Sequence, residues 1–385
     1  MIMDKTDFFE YGFDHELVAN GPMKNGSLAD RLIATRPMTN SSMANGSLTN
    51  GLMTTRRGRV TGFLRSLAFL LVLLGSLINP NPSLLLAQDT GSGLDFLNIG
   101  PSSRILSLAE ASTATLTGAS AIYTNPALLA FESASGADVG YTLWIGEITN
   151  QFASVNVLKE RLSYGFGVYN SGSGGFEARD RPGPSAGGFR ISYLSLAAAG
   201  AYRVGDLAVG ATGHYLREEV FAYRASGFAF TAGAALELVD DRVRLGAALQ
   251  HVGEMNALDL ASTTLPSSLR IGFKADLVEV RSKGLNDLPV LFTLHGDLNQ
   301  HLNDLPRVDF TGESSEDPAR FFSMAISANA SDLITAQIGY RWGPTERPLS
   351  TGLGVYVKPV YVHYAFVPFS TGFGNVHSLG VRTHF

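Results

Sequence analysis

From about residue 136 to its end, the chain runs as short alternating segments whose connections switch between tight and long. That rhythm narrows the fold sharply, because a closed up-and-down barrel across an outer membrane carries tight turns on one side and loops on the other. About fourteen candidate strands are present. Tight connections fall near Lys159-Glu160, Val204-Gly205-Asp206, Asp240-Asp241, Ser331-Asp332 and Lys358-Pro359. Longer ones fall at roughly 171–188, 217–225, 253–266, 303–318, 343–348 and 369–375. The connection at roughly 282–288 lies on the tight-turn side by order but is long for it. An even strand number puts both barrel ends on the tight-turn side, which is periplasmic in such proteins.

Side chains alternate across a strand, so a strand in lipid is apolar on one face and mixed on the other. Near 269–277, Leu269, Ile271, Phe273, Ala275 and Leu277 share one face, and Arg270, Gly272, Lys274 and Asp276 the other. The segment 334–342 sets Ile334, Ala336, Ile338, Tyr340 and Trp342 against Thr335, Gln337, Gly339 and Arg341. The segment near 290–299 sets Val290, Phe292, Leu294 and Leu298 against Thr293, His295, Asp297 and Asn299. The last strand sets Leu379, Val381, Thr383 and Phe385 against Ser378, Gly380, Arg382 and His384. Strands of about ten residues, rising about 3.3 Å each and tilted about 45°, cover roughly 25 Å of hydrocarbon.

A soluble antiparallel sandwich alternates too, and the period by itself leaves both open. An export signal, aromatic residues near strand ends (Trp144, Trp342, Phe366, Phe369) and the terminal Phe385, read as a barrel-assembly signal, favour the membrane. The fold class expected is an all-β transmembrane antiparallel barrel of about fourteen strands with an N-terminal helical plug.

The export signal occupies residues 56–87. Arg56, Arg57, Arg59 and Arg65 precede an apolar stretch from Ser66 to Ile78, with cleavage expected near Ala87. That stretch is too short for a spanning helix, which needs about 20 residues, and Pro80 and Pro82 end it. Residues 1–55 read either as a non-native extension, with translation starting at Met53, or as a disordered one. Residues 88–131 read as linker and plug, and 132–385 as the barrel. Arg104 to Thr115 reads as a short helix capped by Ser102-Ser103, and Asn125-Pro126 as a turn.

The chain contains no Cys, which excludes disulfides, thiolate catalysis and Cys-ligated metals. Its net charge of −5 gives no basic stripe for nucleic acid. No histidine stands in HExxH spacing. The reading is a protein that is not an enzyme and carries neither metal nor cofactor. The charged residues placed on the lumen face are Glu237, Arg244, Arg270, Lys274, Asp276, His295, Asp297, Arg341 and Arg382. They form either a polar pathway or an internal salt-bridge lattice holding the plug, and the lattice is the simpler reading.

Several segments carry a resemblance. They are Phe96-Leu97-Asn98-Ile99-Gly100, Ser103-Arg104, Ala119 to Ala130 with Tyr123, Asn125, Pro126 and Ala127, Leu265-Pro266-Ser267-Ser268, and Phe366-Val367-Pro368-Phe369. In order and spacing the chain resembles the PorV/PorQ family of outer-membrane barrels, relatives of the FadL-type fatty acid transporters. The resemblance implies fourteen strands, an N-terminal plug carrying Gly100, Arg104, Tyr123, Asn125, Pro126 and Ala127, and location in the outer membrane of a Gram-negative bacterium. It also implies a role in type IX secretion, with a translocon, cargo C-terminal domains or an attachment complex as partners beside the membrane lipids. Cargo or partners would engage the long loops. The FadL side of the resemblance implies an alternative, passage of a hydrophobic small molecule through the barrel and out sideways. One departure stands out: many members are glycine-rich after the Arg, where this chain has Ile105-Leu106-Ser107-Leu108-Ala109-Glu110. That composition disfavours the backbone angles glycine allows.

Overall fold

A computed structural model describes residues 94–178, 187–239, 241–257, 263–281, 288–302, 307–308, 314–315, 320–331, 333–370, 372 and 374–385. The expected extension and export signal lie outside the described residues. Alternation turns into strands in chain order: β1 Gly136–Leu143, β2 Thr149–Lys159, β3 Leu162–Ala178, β4 Gly187–Val204, β5 Leu207–Val220, β6 Tyr223–Leu238 and β7 Val243–Met255. They continue as β8 Ser268–Arg281, β9 Pro289–His301, β10 Arg307–Val308, β11 Ser314–Ser315, β12 Arg320–Ala330 and β13 Ile334–Trp342. The last are β14 Leu349–Val357, β15 Val360–Pro368 and β16 Asn375–His384.

Among the described residues, fourteen of these strands close into one antiparallel barrel, while β10 and β11 pair separately. Closure joins β1 to β16, with Gly136 opposite His384 and Leu143 opposite His377. Pairing all edges satisfies the backbone groups that hydrocarbon cannot. Phe385 follows the last strand, exposed, its N–H donating to Ser135 O at 3.0 Å.

The outer surface carries the apolar rows. Val139, Ile271, Ile326, Ile338, Leu353 and Leu379 are all exposed, a belt that water would disfavour and lipid accepts. Leu269 and Ile271 face outward as their row predicts, and Arg270 is buried. Phe273 is buried too, because its ring covers Gly296 on β9, where a Cβ would stand 2.4 Å from the ring edge.

Two connections differ from the sequence expectation. The described part of the segment 171–188 is strand, with β3 and β4 paired as far as Ala178 and Gly187. Gly174 and Gly175 sit at a register shift between Ser173 and Phe176 rather than in a loop. The segment 217–225 is a tight turn at Phe221-Ala222 between Val220 and Tyr223. Its charges suggest loop but pair along and across the strands, Arg224 of β6 to Glu219 of β5 at 3.0 Å and Arg217 to Glu219 within β5 at 3.5 Å.

The plug runs from Leu94 to Glu132. Helix α1, Ser103–Ser107, is capped by Ser102, whose Oγ accepts from Ile105 N at 3.4 Å. It is shorter than the helix expected to Thr115. The chain leaves it at Ala109 and Glu110, whose φ values of 50° and 65° lie in the left-handed region. This is the stretch where glycine is the easier residue, and holding two others there costs about 1–2 kcal/mol each. The cost persists because the turn delivers Glu110 to its partners. Asn125 caps a 3-10 turn, Pro126–Phe131, its Oδ1 accepting from Ala127 N at 3.2 Å.

Plug and wall touch through glycines. A Cβ at Gly352 of β14 would stand 2.3 Å from Ser107 Cβ, and one at Gly233 of β6 would stand 2.0 Å from Asn125 Oδ1. Gly352→Ala should therefore push α1 off the wall and cost about 1–3 kcal/mol, as overpacking does. The check is faster protease cleavage within 94–131 of the folded barrel; unchanged protection would refute the close approach.

Candidate functional site

The plug meets the wall through two chemically different faces. Against β8–β16 the contact is charged. Asp297 of β9 accepts from Ser112 N at 3.0 Å, Thr113 N at 3.0 Å and Thr113 Oγ1 at 2.6 Å, and Arg270 of β8 lies against it at 3.0 Å. Arg270 also donates to the Glu110 carbonyl. Glu110 is held by Arg341 of β13 at 2.5 Å and by Arg347 of the following loop at 2.7 Å. Burial would raise the Glu110 carboxyl, but Arg341, Arg347 and Arg270 outweigh it and hold the group well below the usual carboxylate range.

His295 bonds Thr115 Oγ1 at 2.8 Å through Nδ1 and Ser327 Oγ at 2.9 Å through Nε2. Arg382 donates from Nε to Asp138 Oδ1 at 2.7 Å, and the other Asp138 oxygen accepts from Ser120 N at 3.0 Å. Toward the tight-turn end, Glu237 pairs with Arg244 and with Arg203 at 2.9 Å, and Arg244 Nη1 donates to the plug's Ala114 carbonyl at 3.4 Å. Lys274 and Asp276 pair with each other at 2.6 Å, near the same end.

Against β2–β7 the contact is mostly apolar. Phe96 stacks on Tyr193 at 5.5 Å between ring centroids and meets Tyr169 at 5.3 Å. Tyr123 meets Tyr169 and Phe152 edge-on at 5.7 and 6.1 Å. Leu94, Leu97, Leu216, Met255 and Leu265 join the same cluster, so it reaches from the loop after β7 into the lumen. Polar threads cross it: Thr212 Oγ1 donates to Ile122 O at 2.9 Å, and Asn125 Nδ2 donates to Thr113 O at 2.7 Å and Ala234 O at 3.1 Å.

The structure places Tyr123, Asn125, Pro126 and Ala127 together on the apolar side. Gly100 donates its N–H to Glu110 Oε1 at 3.3 Å, and Arg104 lies on α1 facing β15 and β16. Five residues that hold the plug were not among the sequence candidates: Glu110, Asp138, Arg203, Arg347 and Glu132, whose Oε1 accepts from Gly118 N at 2.7 Å. Alternation in β1 marks Asp138 as inward. Nothing local marks Arg347, which is in a loop. Among the described residues, no group of three His, Asp or Glu is arranged to hold a metal ion.

A closed barrel of fourteen antiparallel strands is an outer-membrane architecture, and solved outer-membrane hydrocarbon channels share this fold. The solved P. putida toluene transporter TodX matches at 12% identity over 77% of this chain and 99% of that one, with a TM-score of 0.52. A deltaS2 mutant of the TodX monoaromatic hydrocarbon channel matches at 13% identity over 74% and 99%, with a TM-score of 0.51. No family model matches the sequence. No curated protein matches it either.

Proposed function

We propose that the protein passes hydrophobic small molecules across the outer membrane of a Gram-negative bacterium, the alternative that the sequence raised. The observation that carries this reading is the aromatic and aliphatic seam between plug and wall, with Phe96, Tyr169 and Tyr193 beneath the loop side and Leu265 at its mouth. A small apolar molecule is stabilised in such a seam by about 25 cal/mol per Å² buried, and the plug must shift to admit it. The fold shared with hydrocarbon channels supports the same reading.

A second reading has its own support. The lumen is filled by residues 94–131, pinned by buried ion pairs, as suits a barrel that binds partners rather than conducts. Under it the chain is a PorV/PorQ-like component of type IX secretion, engaging cargo or an attachment complex.

Deletion of the gene separates the two. The expected result is slower uptake of a monoaromatic hydrocarbon with an unchanged set of secreted proteins, restored by the wild-type chain but not by Phe96→Asp. Normal uptake with secreted proteins lost would reverse the order of the readings.

A further inference from the structure

Above the apolar belt, β4, β5 and β6 carry charge on their outward face. Leu196, Tyr215 and Phe228 stand level in the pairing of these strands, all exposed, and the Tyr215 and Phe228 rings meet at 5.5 Å. Aromatic rings on the outside of a barrel mark the edge of the hydrocarbon. Every second residue keeps the same face, so the outward positions beyond the rings are Arg217 and Glu219 on β5, Ser226 and Arg224 on β6, and Ser192 and Arg190 on β4. The residues between them turn inward, as the buried Glu218 and Ala225 do. Counted along the strands, Arg217 is two residues beyond Tyr215 and Arg224 four beyond Phe228. At about 3.3 Å per residue and a tilt of about 45°, they stand roughly 5 and 9 Å above the rings, the depth of a headgroup layer. The wall reaches this height because β4 has 18 residues and β6 has 16, against 9 in β13.

The charges on this face do not cancel. One Glu219 oxygen accepts from Arg224 Nε and Nη2 at 3.1 and 3.0 Å, and the other from Arg217 Nη2 at 3.5 Å. A single carboxylate thus gathers two guanidiniums, which stay 65% and 45% exposed. Arg190 is exposed and pairs with no carboxylate among the described residues. With Ser192, Glu219 and Phe221 it lines an open groove of about 440 Å³. Three arginines against one glutamate leave two positive charges here, on a chain whose net charge is −5. The next outward carboxylate, Glu254 of β7, is opposite Phe228 and so level with the rings. On a soluble protein such arginines would face water. Here the same face lies in hydrocarbon a few residues lower, so the polar layer of the leaflet lies against it.

We propose that this outward face of β4–β6 binds a phosphate-bearing lipid of the outer leaflet. Its acyl chains lie along Leu196, Tyr215 and Phe228, and its phosphates among Arg190, Arg217 and Arg224. Guanidinium forks match phosphate oxygens two at a time, and basic clusters beside a bilayer draw anionic headgroups. The groove gives the headgroup room next to Arg190. The inference rests on the barrel's place in a bilayer and holds under either functional reading.

The test uses the full barrel, purified in a neutral detergent at fixed ionic strength. The probes are diphosphoryl lipid A, monophosphoryl lipid A and inorganic phosphate, and native mass spectrometry reads the bound lipid. The expected result is saturable binding of one lipid, tighter for the diphosphoryl form, that inorganic phosphate at matched concentration does not displace. Arg190→Gln should weaken it roughly fivefold, and replacing Arg190, Arg217 and Arg224 together by Gln should weaken it on the order of a hundredfold. Arg281→Gln, an equally exposed charge at the tight-turn end, should leave it unchanged. The arginines are exposed, and circular dichroism checks that each variant keeps its sheet. Three results would overturn the proposal. They are a triple variant that binds as tightly as the wild type, a loss in Arg281→Gln equal to that in Arg190→Gln, or displacement by inorganic phosphate, which would make the face a site for free anions.

Discussion

Glu110→Gln should release the plug. The wild-type carboxylate is almost fully buried and carries two arginines, at 2.5 and 2.7 Å, while the backbone around it is held in a left-handed conformation. Removing the charge leaves Arg341 and Arg347 uncompensated, and breaking a buried pair from one side costs about 3–5 kcal/mol. The turn at Ala109-Glu110 then keeps only its main-chain partners, Arg270 on the Glu110 carbonyl and Arg341 on the Ala109 carbonyl, against its unfavourable angles. Faster proteolysis within 94–131 and frequent conductance steps in a planar bilayer are expected, with the barrel itself intact.

The pH dependence follows from the direction of the shift. A carboxyl held below its ordinary value contributes stability that is present above the unfolded-state pKa of about 4.3, and lost only as pH falls through the lower folded value. The wild-type plug should therefore stay seated at pH 4, where exposed carboxylates protonate, and Glu110→Gln should be loose at every pH. Glu110→Gln combined with Arg347→Gln should recover part of the loss, as residues in one network do. A plug equally protected in wild type and Glu110→Gln would remove the latch from the account.

The second large effect tests the lipid face. Ile338 sits at the centre of the nine-residue β13, more than half exposed, opposite Ile326 on one side and Thr351 on the other. Ile338→Arg places a cation where the strand crosses the middle of the bilayer, and should cost about 2–4 kcal/mol in urea unfolding from lipid vesicles. Ile338→Leu should be nearly neutral. The neighbouring Gln337 points the other way, accepting from Ser107 Oγ at 2.5 Å, so Gln337→Leu should loosen α1 without weakening the hold on lipid. If Ile338→Arg unfolded like the wild type, the apolar belt would not be facing hydrocarbon.

Much of this was legible in the residues. Period-two alternation in 269–277 and 334–342 assigns faces directly, because a strand's geometry is local and needs no partner. Where charged strand ends rise clear of the lipid, as at Arg217 to Tyr223, composition looks like a loop, and only pairing across β5 and β6 identifies it as strand.

The chain's own sequence determined the strand number, the greasy and charged faces, and the presence of an apolar segment ahead of the barrel that requires a dry place. Tertiary structure alone decided which charges meet. Glu110 and Arg347 are 237 positions apart and touch only because fourteen strands close around the plug. Face is a property of each residue and its neighbours along one strand, whereas partnership depends on the register of every strand between the two.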